Sequence, residues 1–96
     1  MTDTIADVLV PTNEYVDLNV LSGIPAGTAL IITNKSLDWG LLQIGLTKPL
    51  ALSSDGEPIC TLPDATAIKF IGAGEATVWA RSTGTSPLKL SVQDNT

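Results

Sequence analysis

Hydrophobic and polar positions alternate with a period of two in short stretches of this chain, and turn-forming residues separate the stretches. Period two is the signature of a strand with one buried face. The pattern is clearest from Thr77 to Val92. Val78, Ala80 and Ser82 oppose Thr77, Trp79 and Arg81, and Leu88, Leu90 and Val92 oppose Lys89, Ser91 and Gln93. Gly84 to Pro87 lies between the two arms, so the pattern predicts a hairpin with that segment as its turn.

Further strands are predicted within Glu14–Leu18, Thr28–Thr33, Trp39–Leu46, Ile59–Leu62 and Ala65–Ile71. Thr28–Thr33 is apolar on both faces at its centre, which suits a strand inside a sandwich or barrel wall. Gly45 predicts a bulge or a close backbone approach. Ser22-Gly23 and Pro25-Ala26-Gly27 leave room for no more than one helical turn, at Asn19 to Leu21. Asp7 to Val10 is an apolar run stopped by Pro11, and residues 1–6 read as a flexible arm. Thr47 to Pro58 is the longest loop-like segment, where mobility or a partner contact is expected. Gly72-Ala73-Gly74 is predicted to turn the chain into the C-terminal hairpin.

Turn signals recur often enough to predict an all-β chain: a single domain over residues 1–96, folded as a β-sandwich or barrel of about seven to eight short, mainly antiparallel strands. Its predicted core is Val16, Leu18, Leu30, Ile32, Leu42, Ile44, Ile68, Phe70, Val78, Leu90 and Val92.

Charge narrows the function classes. Ten acidic and five basic residues give a net charge of −5. The bases Lys35, Lys48, Lys69, Arg81 and Lys89 are scattered, whereas phosphate binding needs them clustered, so nucleic acid is not an expected partner. Only 16% of residues are charged, which fits a chain that hides part of its surface in an assembly. The single cysteine, Cys60, excludes an internal disulfide framework and reads as a partly buried structural thiol. The N-terminus shows no secretory pattern and no apolar run is long enough to span a bilayer, so synthesis in a cytoplasm and no membrane contact are expected.

Catalysis has little to build on. With no histidine, Ser–His and Cys–His constellations are absent. Asp55 and Glu57 are close in sequence, but Asp55-Gly56-Glu57 reads as a solvated turn and supplies too few oxygens for a calcium loop. Gly72-Ala73-Gly74 with Thr77 superficially resembles a dinucleotide fingerprint, yet a β-type run follows where that motif needs a helix. Asn34-Lys35-Ser36 forms a glycosylation triplet, read as a chance match on a turn. No catalytic, cofactor-binding or metal-ligating residue is assigned. The candidate chemistry is that of an interface. Trp79 and Arg81 share a strand face opposite Val78 and Ala80, and tryptophan beside arginine is the composition of an interface anchor. Alternation leaves Trp79 balanced between core and interface, with sugar stacking as a third reading, while Trp39 is assigned to the core. Asp55 and Glu57 complete the candidate interface from the loop.

Two segments resemble a known group. They are Tyr15 to Leu30 followed by Asn34-Lys35-Ser36, and Val78-Trp79-Ala80-Arg81-Ser82 with Leu90-Ser91-Val92-Gln93. Together they resemble small β-rich proteins encoded among the structural genes of tailed bacteriophages, mostly of unassigned role. The resemblance implies a virion component made in the bacterial host cytoplasm and carries over no catalytic residue. The expected function is a non-enzymatic decoration or cement protein that contacts the major capsid protein or another virion protein. A homo-oligomer, with a trimer favoured by capsid geometry, is expected. A head–tail connector, tail or fibre-anchoring component and a host-glycan-binding module are the alternatives.

Overall fold

The computed structural model describes residues 5–50, 53, 55–61 and 67–95. Its strands are β1 (Val8–Val10), β2 (Val16–Asp17), β3 (Leu30–Asn34), β4 (Gly40–Ile44), β5 (Glu57–Ile59), β6 (Ile68–Ile71), β7 (Val78–Ser82) and β8 (Leu88–Asp94), with one helix, α1 (Leu18–Ser22), between β2 and β3. They form two antiparallel four-stranded sheets. The front sheet has the order β1-β8-β3-β6 and the back sheet β2-β7-β4-β5. The architecture is a sandwich and not a closed barrel.

The pairs β1·β8, β2·β7, β3·β6 and β4·β5 are nested, first strand with last and inward from there. Further contacts β3·β8 and β4·β7 stitch the nested pairs into two sheets. This is the strand order of a jelly roll, in which one long folded ribbon is rolled upon itself.

The expected C-terminal hairpin does not form. β7 lies in the back sheet and β8 in the front sheet. Alternation did identify the inward residues: Val78, Ala80 and Ser82 on β7 and Leu88, Leu90 and Val92 on β8 are all buried. They face one another across the core, which removes both apolar rows from water at once. Between them, Thr83 to Pro87 is a corner. The Ser82 hydroxyl donates to the Ser86 carbonyl at 2.7 Å, and the Ser86 N–H donates to Asp38 Oδ2 at 3.2 Å. The Gly72–Gly74 turn likewise carries the chain from one sheet to the other.

The front sheet supplies Val8, Val10, Leu30, Ile32, Leu88, Leu90 and Val92 to the core, and the back sheet Leu42, Ile59, Val78 and Ala80. Leu18 and Ile24 close one end, and Val16 packs against the cluster half-buried. Three expected core residues are not in it: Ile44, Ile68 and Phe70 are 46%, 40% and 68% exposed. Ile44 ends its strand where the sandwich opens, and Ile68 and Phe70 point outward from β6. Trp39 is also outside, 53% exposed at the tip before β4.

Several boundaries shift. The predicted strand Glu14–Leu18 narrows to Val16–Asp17, because Asp17 caps α1 by accepting from the Val20 N–H at 3.0 Å. Gly23, with φ of 77°, ends the helix, whose turn falls where one was predicted. The strand expected at Ile59–Leu62 starts earlier, at Glu57; Leu62, Ala65 and Thr66 lie outside the described residues. Gly45 follows β4 directly, its N–H donating to the Thr77 carbonyl at 3.0 Å; a Cβ there would meet nothing nearer than the Thr47 carbonyl at 3.9 Å, so no close approach requires the glycine. Of the expected arm, residues 1–4 lie outside the described residues. Ile5 is tied down, its N–H and C=O both bonded to the Gln93 amide at 2.8 Å.

Buried polar groups fix the ends of the sandwich. Asn34 is fully buried; its amide nitrogen donates to the Asp38 carbonyl and its oxygen accepts from the Ser36 N–H. That occupied amide agrees with reading Asn34-Lys35-Ser36 as a chance triplet. Asn19 joins α1 to β7, donating to the Ile24 carbonyl and accepting from the Val78 N–H. Cys60 is half-buried, as expected of a structural thiol.

Candidate interaction surface

Residues directly opposite in an antiparallel pair share a face. Because Ala80 points into the core, its neighbours Trp79 and Arg81 point out of the back sheet. Gln43, opposite Trp79, and Leu41, opposite Arg81, join them. Tyr15, one residue before β2, falls on the same outer side by alternation, yet it has no exposed surface. What covers it is the segment between β4 and β5.

The Tyr15 hydroxyl donates to the Ser53 carbonyl at 2.7 Å. The Gln43 amide donates to the Asp55 carbonyl at 2.7 Å, to Ser53 Oγ at 3.2 Å and to the Tyr15 hydroxyl at 3.1 Å. Arg81 donates from one terminal nitrogen to the Ser53 carbonyl at 3.3 Å and from the other to the Thr12 carbonyl at 3.4 Å. Lys48 and Glu14 add an ion pair at 3.3 Å. The predicted mobile loop is therefore, at Ser53 and Asp55, a strap bonded across the back sheet.

This arrangement reassigns the candidate interface residues. Arg81 is half-buried beneath the strap, with its guanidinium carbon 5.5 Å from the centroid of the Tyr15 ring. Its Nε is buried without a hydrogen-bond partner among the described residues. It holds the chain's own loop. Trp79 is half-buried, and its indole N–H donates to the Gly45 carbonyl at 3.0 Å. Asp55 is exposed but engages through its main-chain oxygen. Glu57 stands apart from the other three. It shares the inward face of β5 with Leu42 of β4, and its carboxylate lies 3.6 Å from Lys69 Nζ.

The outer face of the front sheet has no comparable strap among the described residues. By register, Ile31 sits opposite Phe70, and Thr33 opposite Ile68. Leu9 on β1 is 67% exposed on the same face. Around the β6 edge the surface turns into a cleft of about 500 Å³ between the two sheets, lined by Leu42, Ile44, Glu57, Lys69, Phe70 and Ile71. Lys69 and Glu57 point inward from the two free edges and meet across its mouth. Inward charges of this kind discourage indiscriminate strand pairing.

Phe70 and Ile68 were assigned to the core as the apolar row opposite Lys69, and so were missed as surface. Alternation pointed the wrong way here, because Lys69 shares the inward face with Ile32. Sequence alone does not say which face. No family model matches the chain, and neither a curated protein nor a solved structure matches it.

Proposed function

We propose that the protein is a non-enzymatic structural component of a tailed-phage virion, a decoration or cement protein that stabilises the shell by protein–protein contacts. The observation that carries this reading is Phe70, an aromatic ring 68% exposed on strand β6 beside Ile68. An outward aromatic adds nothing to the core of an isolated chain, and aromatic residues are preferred anchors at the centres of interfaces. The low charged fraction of 16% points the same way. The setting comes from the resemblance of Tyr15–Leu30 and Val78–Ser82 to small phage structural proteins. Strand order adds only analogy, since jelly rolls serve capsids, lectins and cupins alike.

In this reading the bare front face lies across neighbouring shell subunits and buries Phe70, Ile68 and Ile31 against the major capsid protein. Copies repeated by shell symmetry let one small patch act many times. The test is the copy number in purified particles, measured by quantitative mass spectrometry against the major capsid protein. On the order of hundreds of copies is expected for a shell protein, and about a dozen would move it to a connector or tail ring. Absence from particles would overturn the virion reading. A Phe70→Glu variant should fold normally and lose its place on the shell.

A further inference from the structure

Among the described residues the sandwich has four free strand edges, and three are blunted. β1 is three residues long and is followed by Pro11; β2 has only two residues. β5 contains Pro58, which has no N–H to offer. β6 is protected only by its inward Lys69, whose charge is paired with Glu57 of the same chain at 3.6 Å; it is four residues long, free of proline, and carries Ile68 and Phe70 outward. An apolar, proline-free edge is a template for another strand.

We infer that β6 pairs with β6 of a second copy, antiparallel about a twofold axis at Phe70, so that the two front sheets become one continuous sheet. The register follows from face parity. Ile68 and Phe70 face outward, whereas Lys69 and Ile71 face inward with Leu30 and Ile32. Directly opposite residues must share a face. A twofold axis midway between Lys69 and Phe70 would oppose an outward residue to an inward one. The centres that keep most of the strand paired are therefore Lys69 and Phe70.

Centring on Lys69 sets two lysines directly opposite, which is unfavourable. Centring on Phe70 sets ring beside ring, an arrangement aromatic pairs favour. It also places Lys69 opposite Ile71 of the second copy, and Ile68 opposite Gly72 of the second copy. No atom lies within 4 Å of where a Cβ would stand at Gly72, so there is open space to receive the Ile68 side chain. Lys69 is already held by Glu57 of its own chain, 3.6 Å away, and is drawn back from the pairing edge.

A perpendicular twofold keeps both outer faces on one side. Two patches of Ile31, Ile68 and Phe70 then merge into one, so pairing enlarges the surface proposed for the shell. The inference concerns the isolated protein and stands or falls separately from the virion reading. An isologous edge contact makes a dimer and replaces the expected trimer. The paired edge is only about 13 Å long, a small interface, and a reversible dimer with Kd of about 0.1 mM is expected.

The test uses the full chain with Cys60→Ser and one new cysteine at a time: Phe70→Cys, Lys69→Cys or Ile68→Cys. Directly opposite Cα atoms lie about 4.5–5.5 Å apart, within disulfide reach. Oxidation should cross-link Phe70→Cys selectively, because the other two positions are offset along the partner strand. Preferred cross-linking at Lys69→Cys, equal cross-linking at all three positions, or none at about 1 mM protein would overturn the inference. Sedimentation equilibrium of the unmodified chain should show a reversible dimer, and Phe70→Lys should raise Kd at least about tenfold. An unchanged Kd in that folded variant would also overturn it.

Discussion

Tyr15 and Phe70 both sit at outward positions of the sandwich, one on the back sheet and one on the front. Tyr15 has no exposed surface, whereas Phe70 is 68% exposed. The difference is made by a loop and by one hydroxyl. The strap between β4 and β5 brings main-chain carbonyls over the back sheet, and a carbonyl removed from water needs a donor. The Tyr15 hydroxyl, the Gln43 amide and the Arg81 guanidinium supply donors to Ser53 and Asp55. On the front sheet Gln93, opposite Ile31, binds the Ile5 backbone, and the apolar side chains of Ile31, Ile68 and Phe70 carry no donor. An outward strand face is thus covered by the chain's own backbone where donors are present, as at Tyr15, and left apolar and exposed where they are not, as at Phe70.

The sharpest way to break this comparison is to truncate both aromatics. Tyr15→Ala removes a fully buried ring together with a strap bond, and should destabilise the fold by about 3–5 kcal/mol. Phe70→Ala should change stability by no more than about 0.5 kcal/mol. Urea unfolding followed by tryptophan fluorescence measures both. Similar losses at the two positions would mean that the faces do not differ as described.

Next in size is the point where the strap returns to the sheet. Gly56 has φ of 111°, and a Cβ there would run into the Leu42 carbonyl and, at 2.7 Å, Gln43 Cγ. Gly56→Ala should therefore cost about 2 kcal/mol through strain and displaced backbone. Because Gly56 also borders the cleft, the same variant should perturb the amide resonances of Leu42 and Gln43 before those of β8.

A smaller change isolates the hydroxyl. Tyr15→Phe keeps the ring and deletes the donor to Ser53, which should cost about 1 kcal/mol. Hydrogen exchange at Ser53 and Asp55 should quicken in this variant while the β3 and β8 amides keep their protection. Unchanged exchange would show that Gln43 and Arg81 hold the strap without Tyr15.

Much of this sandwich was legible in the alternation. The faces of β7 and β8 and the buried residues Val78, Leu90 and Val92 follow from period two alone, whereas Leu30 and Ile32 were assigned within a run apolar on both faces. Alternation states which residues share a face; it does not state which sheet a strand joins. That is why the hairpin reading of Thr77–Val92 failed. Apolar type misassigned Ile44, Ile68, Phe70 and Trp39, because burial also depends on position at an edge or a tip. Trp79, left balanced between core and interface, and Arg81 both lie on the row opposite Val78 and Ala80. Their covering was invisible, since Arg81 meets Ser53 across 28 positions of sequence. Nothing local to either residue encodes that contact.

The smallest expected effect concerns what kind of force holds the strap. Lys48 and Glu14 form an ion pair at 3.3 Å, with each side chain 49% exposed. Solvent screens such a pair, and ordering two flexible side chains offsets most of the Coulomb gain, so its worth is at most about 0.5 kcal/mol. Lys48→Ala should hardly move the unfolding midpoint, and raising the salt concentration should leave the Tyr15-dependent protection of Ser53 intact. The strap is then fastened by hydrogen bonds to partly buried carbonyls, which salt does not weaken. A large loss in Lys48→Ala, or salt-sensitive protection at Ser53, would transfer that role to the ion pair. It would also weaken the contrast between the faces, because Lys69 and Glu57 set a comparable ion pair, 3.6 Å apart, at the cleft beside β6.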